Sequence, residues 1–194
     1  VLNGSVNQEV ASFVARYDCD VQRIAGKEIL ACTKLPHSSE LGYVGEIQSV
    51  NTGPILQALD AGSMPIISST ASDQQGQCYN INADTAAAQV AIALKARRLV
   101  YLSDVPGLLQ NPKDPSSLLS SLAIDQVEPL KQEGVIAQGM LPKVNSAVQA
   151  LNAGVNRVHF IDGRLAHSIL LEIFTPPKLI LIHHKPSQAV PQAI

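Results

Sequence analysis

The 194-residue chain is 46% hydrophobic and 15% charged with a formal net charge of -2, enough apolar content to close a sizeable core and to read as one compact unit overall. A sequence pI near 6.2, with Arg97-Arg98 the sole adjacent basic pair, offers no field for a polyanion and argues against nucleic acid as a partner. No apolar run approaches the roughly 20 residues a membrane helix needs, so no membrane partner is expected.

In chain order, Asn3 can cap a helix running towards Tyr17, because Val6, Val10, Phe13, Val14 and Tyr17 recur at helical spacing and make one apolar face. Cys19 to Ile24 and Glu28 to Leu35 are β-like on both sides of Gly26-Lys27, which reads as a hairpin. Val44 to Val50 predicts a strand, and Thr52-Gly53-Pro54 opens a helix that ends at Gly62. The pattern then alternates: a buried strand from Pro65 to Ser69, an Ala-rich helix from Asp84 to Lys95, a strand from Leu99 to Leu102. Such alternation predicts an α/β fold with a mainly parallel sheet between helices.

Ser72 to Tyr79 suits an exposed hairpin or loop, and Asn111 to Ser117, with two prolines, a second loop. Helices are expected from about Ile124 to Glu133, stopped at Gly134, and from Leu141 to Asn152, stopped at Gly154. Val158 to Ile161 is a strand, Leu165 to Phe174 a short helix ended by Pro176-Pro177, and Leu179 to His183 a last β-like run. Cys19, Cys32 and Cys78 are odd in number and lack ligand spacing, which fits reduced packing thiols in a cytosol-like compartment. Val1 to Val14 lacks the basic head and apolar body of a secretory signal, and the missing initiator Met fits a processed or truncated product.

Three polar clusters sit where a ligand would be touched. In open α/β sheets ligands lie beyond the carboxyl ends of the strands, and Ser103-Asp104-Val105-Pro106-Gly107 follows such a strand end. An ordinary capped turn explains it equally well. Asn80-Ile81-Asn82-Ala83-Asp84-Thr85 puts alternate polar residues on one side of an extended segment. A helix cap by Asn82 and a favourable charge from Asp84 explain two of the three without a ligand.

Gly139-Met140-Leu141-Pro142-Lys143 opens a helix and places a lysine in its first turn. A cation there opposes the helix dipole by roughly 0.3 to 1 kcal/mol. An anionic ligand would resolve that conflict, although a solvated surface lysine is the plain alternative. Walker A, GxGxxG, HExxH and GxSxG patterns are absent, which removes support for P-loop, Rossmann dinucleotide, zincin and serine-hydrolase chemistry.

Taken together, Tyr79-Asn80-Ile81-Asn82-Ala83-Asp84, Leu102-Ser103-Asp104-Val105-Pro106-Gly107 and Gly139-Met140-Leu141-Pro142-Lys143 look like the successive signatures of the acetylglutamate kinases. Leu41-Gly42-Tyr43-Val44-Gly45-Glu46, Ile161-Asp162-Gly163-Arg164, His167 and Glu172-Ile173-Phe174-Thr175 extend the similarity from Val1 to about Thr175. The resemblance implies the three-layer amino acid kinase fold and transfer of the ATP γ-phosphoryl to the side-chain carboxylate of N-acetyl-L-glutamate, in arginine biosynthesis, with Mg²⁺ accompanying ATP. A catalytically incomplete nucleotide-binding or regulatory relative of that kinase is the alternative expectation.

By motif matching, Lys143 would stabilise the transferring phosphoryl, Asp84 would orient a catalytic lysine, and Asn80, with Asn82, would hold the acetylglutamate. Ser103, Asp104, Val105, Pro106, Gly107, Leu108 and Leu109, with Val135, Ile136, Ala137 and Lys143, would line the nucleotide site; no protein-held metal is expected. Residues 1–62 are then the remainder of an amino-terminal acetylglutamate-binding region and 63–194 the nucleotide-binding region. The family's Gly-rich lysine loop does not precede Val1, so the chain is expected to start inside the amino-terminal domain.

Asn111 to Leu118 resembles the branch of oxygenic phototrophs whose members are inhibited by arginine and bind the PII signalling protein, so an arginine effector and a PII partner are expected from it. His167 and Glu172 lie where that branch shapes its effector site. Helix-face residues of these types are more often plain surface. A homo-oligomer in the cytoplasm, or in the plastid stroma of a photosynthetic eukaryote, completes the expectation. At the carboxyl end, Pro176-Pro177-Lys178 and a His183-His184 tail replace the family's short acidic, Gly-rich close.

Overall fold

The computed structural model describes residues 1–36, 42–105, 108–111, 114, 117–119, 121–136, 138–170 and 180–183. The chain divides into two compact units, Val1–Leu94 and Lys95–Ile194. Helices alternate with mixed sheets in both, which places the chain in the α/β class.

The first unit begins with a π-helical turn, Leu2–Val6, continuing into α1, Asn7–Ala15. The expected apolar face is inverted: Val6, Val10, Phe13 and Tyr17 are exposed, while Asn7 and Ala11 are buried. The cause is polar anchoring. Asn7 donates through Nδ2 to the Ile66 carbonyl at 2.9 Å and accepts from Arg23 Nε at 2.9 Å, so that face of the helix must point inward. Asn3 does not cap the helix. Its side-chain oxygen accepts the hydroxyls of Ser68 and Thr70 instead, stapling the chain's start to the following strands.

The hairpin expected about Gly26-Lys27 is also replaced. β1, Val21–Ile24, pairs in parallel with β4, Met64–Ile67, and Gly26–Ile29 forms a short helix, α2. β2, Leu30–Lys34, pairs antiparallel with β3, Gly45–Val50. Gly26 explains the change. Its amide donates to Ser68 Oγ at 3.0 Å, and a Cβ on it would lie 2.0 Å from the Ser68 carbonyl oxygen. The backbone is pressed against the strand-end segment 68–70 rather than turning in solvent.

α3, Gly53–Asp60, follows with Pro54 in its first turn, and its exit runs through Gly62 at φ +76°, the left-handed position a glycine favours. β5, Thr70–Ser72, and β6, Cys78–Asn80, form the expected hairpin, exposed at its turn while Thr70, Ala71 and Tyr79 are buried, and β5 joins β2 in parallel to give the order β3-β2-β5-β6. α4, Ala83–Ala93, buries Ala86, Ala88 and Ala91. Ile24, Ile29, Leu30, Cys32, Ile55, Ala71, Tyr79 and Ile81 make the apolar core of this unit.

The second unit is a four-stranded sheet in the order β7-β9-β10-β8. β7, Arg98–Ser103, lies parallel to β9, Arg157–Asp162, with Ser103 opposite Asp162. β10, Ile180–His183, is antiparallel to β9 and parallel to β8, Ser121–Ala123. β8 escapes sequence reading because three residues carry no usable periodicity. Tyr101 and Phe160, cross-strand neighbours, stack at 5.2 Å and 23°, a packing that adds to their burial.

A 3₁₀ turn, Ile124–Gln126, leads into α5, Val127–Gln132, and a second, Gln138–Met140, into α6, Leu141–Asn152. Gly134 and Gly154, at φ +76° and +103°, end the two helices as the sequence predicts. Val144, Ala147, Ala150 and Leu151 give α6 its buried face. Past β9, helical conformation begins at Ser168, three residues later than Leu165, because Gly163, Arg164 and His167 are held in turns and His167 has φ +60°. The remainder of that expected helix, to Phe174, and Pro176-Pro177 lie outside the described residues.

Candidate functional site

In the first unit, the candidate substrate residues stand where β6 passes into α4. Asn80 donates its amide to the Tyr43 carbonyl at 2.8 Å and bridges Val44, and Ile81 donates to the Ser69 carbonyl at 3.0 Å. Backbone bonds on both sides therefore fix this short extended segment, while the Asn80 side chain is exposed. Gly45 permits the approach: a Cβ there would come within 2.9 Å of Tyr79 Cβ and 3.0 Å of Cys32 Sγ. The Leu41-Gly42-Tyr43-Val44-Gly45-Glu46 motif thus has a steric reason at its second glycine, whereas Leu41 lies outside the described residues.

Asn82 is the N-cap of α4, its carboxamide oxygen accepting from the Thr85 amide at 3.0 Å. That oxygen is committed to the helix start. Asp84 is half-buried in the first helical turn, where a carboxylate is favoured by the positive end of the helix dipole. Asn80, Asn82 and Asp84 therefore occupy one strand-to-helix junction, as the sequence spacing implies.

Nearby, the β5–β6 turn is organised by Asp73, whose carboxylate accepts the amides of Gln75 and Gln77 at 2.9 Å each and the Tyr79 hydroxyl at 3.1 Å. Burial, with that carboxylate beside it, pushes the Tyr79 hydroxyl pKa up, so the phenol stays protonated. Burial likewise raises the Cys32 thiol. Cys19, Cys32 and Cys78 are all free, in keeping with packing roles.

In the second unit the strand-end cluster is where the sequence puts it. Ser103 closes β7 and is 8% exposed, yet its Oγ has no hydrogen-bond partner among the described residues. An orphaned buried hydroxyl calls for an explanation, one of which is a ligand. Asp104 and Val105 are exposed beyond it, and Pro106 and Gly107 lie outside the described residues. Leu108 is 3% exposed, and Leu109 forms an antiparallel bridge with Leu118.

Val135 and Ile136 both donate their amides to the Leu130 carbonyl, at 3.0 and 3.1 Å, as the chain leaves α5. Ile136 is 2% exposed, so its side chain serves the core. Ala137 is outside the described residues. Lys143 is the third residue of α6 and half-buried, directly after Pro142. Gly139 has nothing within 4 Å of the position a Cβ would take, so open space lies before this helix.

Topology gathers these groups on one edge. α6 reverses into β9 through Gly154 and packs on that strand, so its first turn stands at the carboxyl end of β9. β7 runs parallel to β9, which puts Ser103 and Asp104 at the same edge. There the sequence reading quoted Ile161-Asp162-Gly163-Arg164 but gave the pair no role. Arg164 grips the 3%-exposed Asp162 through Nε at 2.9 Å and Nη2 at 2.7 Å, and its amide adds a third bond at 3.0 Å.

Those bonds lower the Asp162 pKa to about 2, and Asp162, with Asp104 further off, raises that of Arg164. The strand-end rule that selected Ser103-Asp104 applies equally to Asp162-Gly163-Arg164 and would have found it. His167 follows in the same turn region, while Glu172 lies outside the described residues.

Comparison with known proteins assigns the architecture. The acetylglutamate kinase of Carboxydothermus hydrogenoformans is 46% identical over 186 residues, covering 90% of this chain and 63% of that protein. The acetylglutamate kinase of Syntrophomonas wolfei is 45% identical over 177 residues, covering 90% and 62%. The chain thus spans a little under two thirds of the length of these curated relatives. Among solved structures, the Streptococcus mutans protein smu.665 superposes with a TM-score of 0.80 at 28% identity, covering 95% of this chain and 69% of its own. The model of the Amino acid kinase family matches residues 1–162, and with these folds and signatures in agreement, the chain belongs to that family.

Proposed function

We propose that the protein carrying this chain transfers the γ-phosphoryl group of ATP to the side-chain carboxylate of N-acetyl-L-glutamate. The observation that carries the reading is the carboxyl edge of the second unit. A lysine opens α6 at the same end as two parallel strand ends, one of them with a buried hydroxyl that has no partner among the described residues, and a polyanion suits both the cation and the donor. The identity to acetylglutamate kinases and the Asn80 to Asp84 junction favour acetylglutamate over other carboxylates.

The chemistry asks little of the protein in proton transfer. A side-chain carboxylate is ionised at neutral pH and needs no general base, so charge neutralisation and alignment are the task. Bound ATP with Mg²⁺ supplies the phosphoryl group and part of the neutralising charge. Lys143, with the first amides of α6, neutralises charge on the transferring group. Asp84 holds a catalytic ammonium in orientation, and Asn80, supported by Asn82, fixes the acceptor. Ser103, Asp104 and the backbone at 105–109 and 135–137 hold the nucleotide.

An arginine effector, a PII-type partner, a homo-oligomeric state and a cytoplasmic or plastid-stromal setting belong to the same reading. The effector and the PII-type partner rest on the resemblance of Asn111 to Leu118, of which 112, 113, 115 and 116 lie outside the described residues. Among the described residues, no helix is long and apolar enough to cross a membrane.

The test is acetylglutamate-dependent acyl-phosphate formation, trapped as the hydroxamate, against glutamate, aspartate and carbamate as alternative acceptors. Acetylglutamate should be the acceptor, and Lys143→Ala should lower kcat by about two orders of magnitude or more, the scale of removing a preorganised charge from a transition state. ATP binding without transfer to acetylglutamate would overturn the kinase reading and leave a nucleotide-binding relative.

A further inference from the structure

We propose that Arg164 is a phosphate-binding residue of the nucleotide site, presented at the carboxyl edge of the second unit's sheet by its two-pronged bond to Asp162. This rests on the nucleotide reading above and adds to it a contact that none of the roles assigned there includes. Nε and Nη2 are held by the Asp162 carboxylate at 2.9 and 2.7 Å. Asp162 is 3% exposed, whereas the Arg164 side chain is 60% exposed. One face of the fork is therefore anchored in the sheet and the other stands in solvent. A guanidinium has five donors, and no bond from Nη1 is made to any described residue.

Three observations point the open face at a ligand. Ser103, opposite Asp162 in the β7–β9 register, has the buried hydroxyl without a partner among the described residues, and its carbonyl accepts the Gly163 amide at 2.8 Å. The turn bearing Arg164 is thereby tied to the very strand end proposed to hold the nucleotide. A Cβ on Gly163 would be only 3.4 Å from the Ser103 carbonyl oxygen and from Leu102 Cδ2, so the turn is packed down on β7.

Lys143 opens α6 at the same edge. The Arg164 charge is matched locally by Asp162, so its use is directional: a planar, fixed fork of donors that can meet two oxygens of one phosphate. Such pre-orientation lowers the ordering cost that a free arginine would incur on binding.

The experiment compares ATP, ADP and adenosine binding to the full 194-residue chain by calorimetry, for the wild type, Arg164→Ala, Arg164→Lys and Asp162→Asn. Arg164→Ala should weaken ATP and ADP by about tenfold while adenosine affinity is unchanged, the size expected for one charged hydrogen-bonding group. Arg164→Lys keeps the charge without the fork and should recover only part of the loss. Asp162→Asn releases the guanidinium and should show an intermediate deficit.

Equal losses for adenosine and ATP would mean damage to the strand end and would overturn the proposal, as would an Arg164→Ala variant with unchanged ATP affinity. Should Arg164→Ala fail to fold, the ATP-to-adenosine affinity ratio of Arg164→Lys decides in the same way. A wild-type chain that binds none of the three ligands overturns the nucleotide reading and this inference together. Wild-type binding with an indifferent Arg164 overturns this inference alone.

Discussion

At the scale of single residues, Asp162 is where electrostatics can be tested apart from catalysis. Its carboxylate accepts three bonds from Arg164, two from the guanidinium and one from the amide, and these hold its pKa at about 2 against an ordinary 3.8. A carboxylate depressed in the folded state contributes stability above its unfolded pKa, and that contribution is lost as pH falls through the folded value. The window is therefore from about pH 4 down to about 2.

Carboxyl-carbon NMR should place the Asp162 titration near 2 in the wild type and back in the usual carboxylate range in Arg164→Ala. Acid unfolding of Asp162→Asn should be flatter than wild type across that window. A wild-type Asp162 titrating near 4 would show the ion pair does not persist in solution. The strand-end position marks Asp162 and Arg164 in the sequence, but nothing in the sequence marks the bond between them. Aspartate and arginine two positions apart at a strand end are ordinary turn residues until the strand's register buries one and leaves the other in water.

At the scale of elements, what sequence shows and what it hides divides along local against non-local bonding. α6 is read correctly from Leu141 to Asn152, because its apolar spacing, early proline and terminal glycine are all contained in the segment. α4 and its cap are legible for the same reason: Asn82 reaches only three residues ahead. α1 is misread in orientation, since the polar anchor Asn7 bonds to Ile66 and Arg23, partners distant in sequence that outweigh an apolar stripe.

The false hairpin fails likewise. Gly26-Lys27 has turn chemistry, but the amide of Gly26 is bonded to Ser68, a residue whose proximity only the parallel β1–β4 pairing creates. This makes Gly26→Ala a decisive substitution. In an unhindered helix the change would stabilise by about 0.5 to 1 kcal/mol. Here the added Cβ would sit 2.0 Å from the Ser68 carbonyl oxygen and 2.4 Å from that of Thr70, both backbone atoms that must move. Overpacking should win, with a net loss of about 2 kcal/mol or more read from urea unfolding midpoints. A neutral or stabilising result would mean α2 can lift off the strand end.

At the scale of the whole molecule, the proposed roles fall on different sides of the division between the units. Asn80, Asn82 and Asp84 belong to Val1–Leu94, while Ser103, Asp104, Lys143 and Arg164 belong to Lys95–Ile194. Each unit has its own sheet pairings. Ligand binding stabilises whichever amides open less often in the bound state, so the two ligands should leave separate marks.

ATP should slow hydrogen exchange at the carboxyl end of β7, in the first turn of α6 and in the turn after β9, where the Ser103 hydroxyl and the open face of the Arg164 guanidinium gain a partner. N-acetylglutamate should slow it at the β6–α4 junction, where Asn80 is exposed between two backbone-bonded segments. Hydrogen-exchange mass spectrometry with peptides covering 78–94, 98–105, 138–148 and 157–168 resolves the two patterns. ATP protection confined to 78–94, or acetylglutamate protection confined to the second unit, would reverse the assignment of substrate and nucleotide groups. Uniform protection by either ligand would show that binding is read by the whole chain, and the residue roles would then have to be separated by affinity measurements on Asn80 and Lys143 variants.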